Sequence, residues 1–231
     1  MGEVARRLAG VNQEIWAACR ASGRDPGEVR LVAVSKFQPE RAIREAALAG
    51  QTAFGENYVQ EANAKQTAFS DFEKQLEWHM IGHVQSRKAR DVAGRYALIH
   101  SLDSTRLADA LERHLEAASQ KVLIEVNIGE ESQKTGIMPQ EAGSLARHVL
   151  EKCPHLALNG LMCMAPVYDA GEQARPYFRA LRELRDRLER EIGHELPELS
   201  MGMSGDFCAA IAEGATIVRI GTGIFGPRPA R

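Results

Sequence analysis

Lys36 closes the apolar run Leu31-Val32-Ala33-Val34-Ser35, and far along the chain the run Thr216-Ile217-Val218-Arg219-Ile220 closes on Gly221-Thr222-Gly223. A lysine at the end of an apolar strand is partly desolvated, which lowers its pKa and exposes the neutral amine that attacks an aldehyde. Glycines without Cβ atoms let backbone amides approach phosphate oxygens, and Thr222 adds a hydroxyl. If the two runs are the first and last strands of a closed parallel barrel, they are neighbours, and amine and anion-binding turn meet at one rim. That pairing points to a Schiff base between Lys36 and pyridoxal 5'-phosphate (PLP), whose aldehyde and phosphate lie at opposite sides of one ring.

Two further residues belong to the same chemistry. The stretch Ser200-Met201-Gly202-Met203-Ser204-Gly205-Asp206 precedes a helical pattern over 207–213, so Ser204 lies near a helix N-terminus that favours an anion. Taken alone, such a serine is more often a plain N-cap. Arg219 stands two residues before Gly221, and strand alternation points both to one side, the barrel interior. There it is either half of an internal ion pair or the partner of the pyridine nitrogen. A guanidinium cannot give that nitrogen a proton as a carboxylic acid can, so the ring would be a poor electron sink and carbanion chemistry weak.

These residues need a scaffold that brings strand ends together. Eight strand candidates cover 31–36, 53–58, 77–82, 98–103, 121–127, 158–164, 199–203 and 216–225. Helical patterns at 39–49, 105–118, 138–152 and 171–192 alternate with them, each strand being expected to have its crossover helix. Ahead of the first strand, Val4, Leu8, Val11, Ile15 and Cys19 recur at helical spacing. No linker divides the chain, so we expect one domain over 1–231: an α/β (β/α)8 TIM barrel with an extra N-terminal helix. A doubly wound open sheet is the alternative, but no GxGxxG follows the first strand. In such barrels active sites gather at the strand C-termini, and phosphates commonly sit after strands seven and eight.

With 231 residues, 44% apolar and 26% charged, the chain is long enough for one large core, and a net charge of −2 gives no electrostatic reason to bind nucleic acid or an acidic membrane. Four scattered cysteines without CxxC spacing, and a start, Met1-Gly2-Glu3-Val4-Ala5-Arg6-Arg7, lacking the apolar core of a signal peptide, lead us to expect a cytoplasmic protein. No apolar run approaches the roughly 20 residues that span a bilayer. His79 and His83 have HxxxH spacing, but one falls in a strand and the other just beyond it, so no metal is expected. Ser86-Arg87-Lys88-Ala89-Arg90 is a short basic patch best read as a solvated face.

The segments Val34-Ser35-Lys36, Phe54-Gly55-Glu56-Asn57-Tyr58, His79-Met80-Ile81-Gly82-His83-Val84-Gln85, Ser200-Met201-Gly202-Met203-Ser204 and Val218-Arg219-Ile220-Gly221-Thr222-Gly223-Ile224-Phe225-Gly226 resemble those of the YggS/PROSC family, the pyridoxal phosphate homeostasis proteins. The resemblance runs nearly the length of the chain, and it implies a fold similar to the barrel domain of alanine racemase. It implies Lys36 as the Schiff-base lysine, Ser204, Gly221 and Thr222 at the phosphate, Arg219 near the ring nitrogen, Asn57 on the rim beside the cofactor and Met201 lining it. Gly223 stands where the family usually has alanine, which removes no donor.

The resemblance further implies a monomer that binds PLP and passes it on, serving vitamin B6 homeostasis without substantial turnover, with PLP-dependent apo-enzymes as transient recipients. The alternatives are a PLP-dependent amino-acid racemase and a Schiff-base aldolase. Alanine racemases take a second base from a separate β domain of the partner subunit, and the present chain ends at Arg231, directly after the eighth strand, so no such domain is expected. An aldolase needs acid/base groups around its lysine, for which Glu56 and Asp206 are the only tempting neighbours.

Overall fold

In the computed structural model, which describes residues 2–70, 72, 76–116, 118–166 and 169–227, eight strands close into one parallel barrel. They are β1 (Arg30–Val34), β2 (Ala53–Glu56), β3 (Glu77–Met80), β4 (Leu98–Leu102), β5 (Gln120–Val126), β6 (Leu156–Cys163), β7 (Glu198–Ser200) and β8 (Ile217–Ile220), and each pairs with the next. The ring is completed by β8 against β1, with Val32 opposite Arg219 and Ala33 opposite Ile220. Met1 and Arg231, the ends of the expected domain, lie outside the described residues.

Around the barrel run α1 (Glu3–Ala21), α2 (Glu40–Leu48), α3 (Val59–Ala68), α4 (Thr105–Glu112), α5 (Ala142–Lys152), α6 (Arg175–Ile192), α7 (Phe207–Ala212) and α8 (Thr222–Phe225). The apolar stripe of α1, from Val4 to Cys19, is buried as its spacing requires, and the helix packs on α2, α7 and α8. Among the described residues no helix is long and apolar enough to cross a membrane.

Two expectations need correction. Not every strand has a crossover helix, because a 3-10 turn, Ser86–Asp91, makes the connection from β3 to β4. The expected last strand over 216–225 also stops at Ile220, and Ile224 and Phe225 bury themselves from α8 instead. An apolar run of this length is compatible with either structure; here the amides of Ile224 and Phe225 turn back onto the Gly221 carbonyl at 3.0 and 2.9 Å.

Strand alternation sorts the side chains into two populations. Val32, Ala53, Leu98, Leu123, Met162 and Ile217 form a small apolar plug inside the barrel, whereas Leu31, Ala33, Phe54, Trp78, Ile99, Val122 and Val218 join the larger core beneath the helices. The next inward positions towards the strand C-termini, Val34, His79, His100, Glu125, Ser200 and Arg219, are mostly polar, and the five polar ones are buried. The barrel therefore carries an apolar floor under a polar layer at its C-terminal mouth.

Candidate functional site

At the C-terminal mouth lies a cleft of about 250 Å³ whose lining includes Lys36, Met203, Ser204, Arg219, Gly221 and Thr222. Lys36 enters it because Val32, Val34 and Lys36 share one parity on β1 and the turn after it. Arg219 and Gly221 enter from β8 by the same rule. The β1–β8 register then sets the lysine turn beside the glycine turn. Five of the expected residues thus converge.

The cradle across from Lys36 is made of small donors. Ser204 Oγ accepts from Thr222 Oγ1 at 3.2 Å and from the Gly223 amide at 3.5 Å. A Cβ on Gly221 would lie 3.4 Å from Val34, an ordinary van der Waals contact, so the glycine turn sits directly against β1. Gly223, the departure from the family pattern, still contributes its N–H.

Asn57 and Met201 are placed otherwise. Asn57 follows β2 and does not line the cleft; its Oδ1 is buried with no hydrogen-bond partner, so a polar acceptor stands ready near the mouth. Met201 is fully buried in the outer core, and Met203 takes the position on the cleft. The reason is local: Ser200 points inward, so its neighbour points out, and Gly202 then turns the chain through φ +93°, breaking the alternation before Met203.

Arg219 is 4% exposed and held on two sides, its Nη1 donating to Ser200 Oγ at 2.5 Å and its Nη2 to the Cys163 carbonyl at 2.9 Å. No ion pair to it is found among the described residues, which leaves its remaining N–H groups for the cleft. Behind it the hydrogen bonds continue through the barrel. Ser200 Oγ meets His100 Nδ1 at 2.8 Å, and His100 Nε2 meets His79 Nδ1 at 2.9 Å.

An arginine has only donors, so Ser200 accepts from it and hands its own proton to His100. His100 then donates from Nε2 to His79, whose Nε2–H points to the side of Glu77, with Oε2 at 3.8 Å. Burial holds both imidazoles below the usual histidine pKa, His100 the more strongly, which disfavours their charged forms. Spacing along the chain did not reveal this relay; its one signal was the appearance of histidines at inward positions of β3 and β4.

The remaining candidates separate from the site. Glu56 lies behind β2, where Lys65 pairs with it at 2.7 Å, and Asp206 Oδ1 accepts from the Met203 amide at 2.6 Å; neither carboxylate lines the cleft. Burial raises the pKa of Glu56, Glu125 and Asp206 alike. His79 is inside the barrel while His83 pairs with Asp103 at 2.9 Å on the surface, so the two do not share a ligand position. Asp109, His148 and Cys153 do approach one another on the outer helices, within 4.8 Å. There His148 is engaged by Asp109 at 2.6 Å and the thiol is pushed up to about 11, first by burial, so no metal is assigned.

The donor set fits PLP. An amine, two hydroxyls and a backbone amide face one cleft with a fixed cation, matching an aldehyde, a phosphate and a ring nitrogen.

Comparison with known proteins agrees with this geometry. The family model described as alanine racemase, N-terminal domain, matches residues 14–229. The pyridoxal phosphate homeostasis protein of Aquifex aeolicus is 46% identical over 224 residues, covering 96% of this chain and 97% of that protein. Its namesake from Escherichia coli K12 is 44% identical, covering 99% and 98%. PipY of Synechococcus elongatus, solved with PLP bound, superposes with a TM-score of 0.84 at 36% identity over 97% of this chain and all of PipY. Alanine racemase from Corynebacterium glutamicum shares the fold, with a TM-score of 0.70 at 20% identity, and this chain spans 62% of it. By sequence over nearly its whole length and by fold, the chain belongs to the pyridoxal phosphate homeostasis proteins, within the alanine racemase N-terminal domain family.

Proposed function

We propose that this protein binds pyridoxal 5'-phosphate covalently at Lys36 and serves intracellular vitamin B6 homeostasis as a single-domain, cytoplasmic monomer that holds the cofactor and releases it to PLP-dependent apo-enzymes. The homeostasis proteins of similar sequence and the PLP-bound PipY support it. The observation that carries it is the meeting of Lys36 with the Ser204 and Thr222 hydroxyls across one cleft.

When bound, PLP supplies an aldehyde that a lysine amine captures reversibly. Lys36 presents that amine from the end of β1. Ser204, Thr222 and the backbone at Gly221 and Gly223 hold the phosphate, and Arg219 donates to the ring nitrogen while withholding a proton from it. Asn57 offers an acceptor at the rim, and Met201 backs the site from the core behind Met203. Among the described lining residues Lys36 and Arg219 are the titratable ones. A donor-only arginine at the ring nitrogen leaves the ring a poor electron sink, which supports holding and release over racemisation or aldol cleavage.

The test is borohydride trapping after loading with PLP, followed by peptide mass mapping. One modification on the Lys36 peptide is expected, and none in Lys36→Ala with its circular dichroism intact; a label that persists on another lysine overturns the assignment. Mixing loaded protein with an apo-enzyme then separates handover from buffering: activity appearing faster than free release allows supports handover, and equal rates restrict the role to buffering.

A further inference from the structure

The turn that carries Lys36 is gripped from behind by charged groups of α3. Lys65 is only 7% exposed, and its Nζ donates to the Ser35 carbonyl at 2.6 Å, to Glu56 Oε1 at 2.7 Å and to Glu61 Oε1 at 2.7 Å. Three donors meet three acceptors, which uses the whole ammonium group. Glu61 Oε1 also accepts from the Phe37 amide at 2.6 Å, and Ser35 Oγ donates to Glu56 Oε1 at 2.6 Å. The residues immediately before and after Lys36 are thereby tied to the same cluster.

Phe37 needs such a tie. Its φ is +63°, a left-handed conformation that a bulky side chain rarely adopts and that persists only where the surroundings impose it. Its ring also packs on Tyr58, at the start of α3, with centroids 5.1 Å apart. A buried ion pair adds little net stability once desolvation is counted, but it fixes geometry well. Here the geometry it fixes is the backbone on either side of the reactive lysine.

We propose that Glu61 and Lys65 are positioning residues for Lys36: by bonding the Phe37 amide and the Ser35 carbonyl they hold the strained turn that aims the Lys36 side chain into the cleft. Neither touches the cleft, and both act through the main chain. The inference rests on Lys36 being the attachment point proposed above.

The experiment compares PLP with pyridoxine 5'-phosphate, which carries an alcohol in place of the aldehyde and so reports the phosphate cradle and ring site without the lysine bond. In Glu61→Ala the affinity for PLP is expected to fall about tenfold, the loss of one hydrogen bond to a charged acceptor. Pyridoxine 5'-phosphate should bind within twofold of wild type. Glu61→Gln, whose amide oxygen still accepts from Phe37, should recover most of the difference. Phe37→Gly should recover it in the Glu61→Ala background, because glycine adopts positive φ without help.

Equal losses for both ligands would show a general collapse of the cleft and overturn the proposal, as would unchanged PLP affinity in Glu61→Ala. Should Glu61→Ala fail to fold, Lys65→Gln read by the same two ligands decides between the same outcomes. A wild-type protein that bonds PLP at a lysine other than Lys36 would instead refute the attachment point, and this proposal with it.

Discussion

Replacing Ser200 by alanine removes one oxygen from the middle of the relay that anchors Arg219, and the structure allows its cost to be worked out. Ser200 is fully buried, accepting from Arg219 Nη1 and donating to His100 Nδ1. Without the hydroxyl, a guanidinium N–H and an imidazole nitrogen lose their partners, in a layer floored by Val32, Leu123 and Ile217. Each buried group left unsatisfied costs about 1–3 kcal/mol, so the pair amounts to roughly 3 kcal/mol of a total stability of about 5–15 kcal/mol. For a chain of this size that lowers the midpoint of thermal unfolding by about 6–12 °C. Circular dichroism melts give the shift, and side-chain nitrogen NMR gives the tautomers. In the wild type, His100 and His79 should both carry their proton on Nε2, an order imposed by the donor-only arginine that starts the relay. A melt shifted by less than about 2 °C, or a wild-type His100 protonated on Nδ1, would refute the directional relay.

The same two histidines make a pH prediction. Their folded pKa values lie below the unfolded value of 6.5, so the unfolded chain takes up protons first and stability declines as pH falls from 6.5, by up to about 1.4 kcal/mol per pH unit for each. Glu56, Glu125 and Asp206, with raised folded values, oppose this at lower pH, so NMR titration of each imidazole is the cleaner measurement; either one charging near 6.5 contradicts the burial argument. Gly202→Ala should cost several kcal/mol, because its φ is +93° and a Cβ would sit 2.6 Å from that of Ala210; urea unfolding with an unchanged midpoint would count against the turn that carries Met203 to the cleft. Lys65→Met should cost about 3–5 kcal/mol by leaving Glu56 buried beside no cation, and the loss should shrink in the Lys65→Met/Glu56→Gln double variant, as a double-mutant cycle in urea would show.

Local pattern reached far into this protein. Runs of five to ten residues located all eight strands, and helical spacing located the buried face of α1 from Val4 to Cys19. Both follow from burial acting on neighbours a few residues apart. Parity counted from β8 was enough to send Arg219 and Gly221 to one side. The place of Met201 was implied by the family resemblance alone; in the structure a positive φ at Gly202 interrupts the alternation and puts Met203 on the cleft. The expected last strand overran at Ile224 and Phe225, whose apolar character suits a strand or a helix equally.

What composition and periodicity determined, then, was a closed βα barrel with an amine and a glycine turn on its first and last strands. Tertiary structure alone decided which polar groups meet inside it. His79, His100, Ser200 and Arg219 come from β3, β4, β7 and β8 and touch only because the barrel closes with a particular stagger between strands. Glu61 and Lys65 drew no notice in the sequence, and Glu56 only as an acid/base neighbour of Lys36; the three join at the turn beside Lys36 once α3 lies down behind β1 and β2. Contacts between elements distant in the chain depend on how layers pack and how strands register, and neither leaves a period in the sequence.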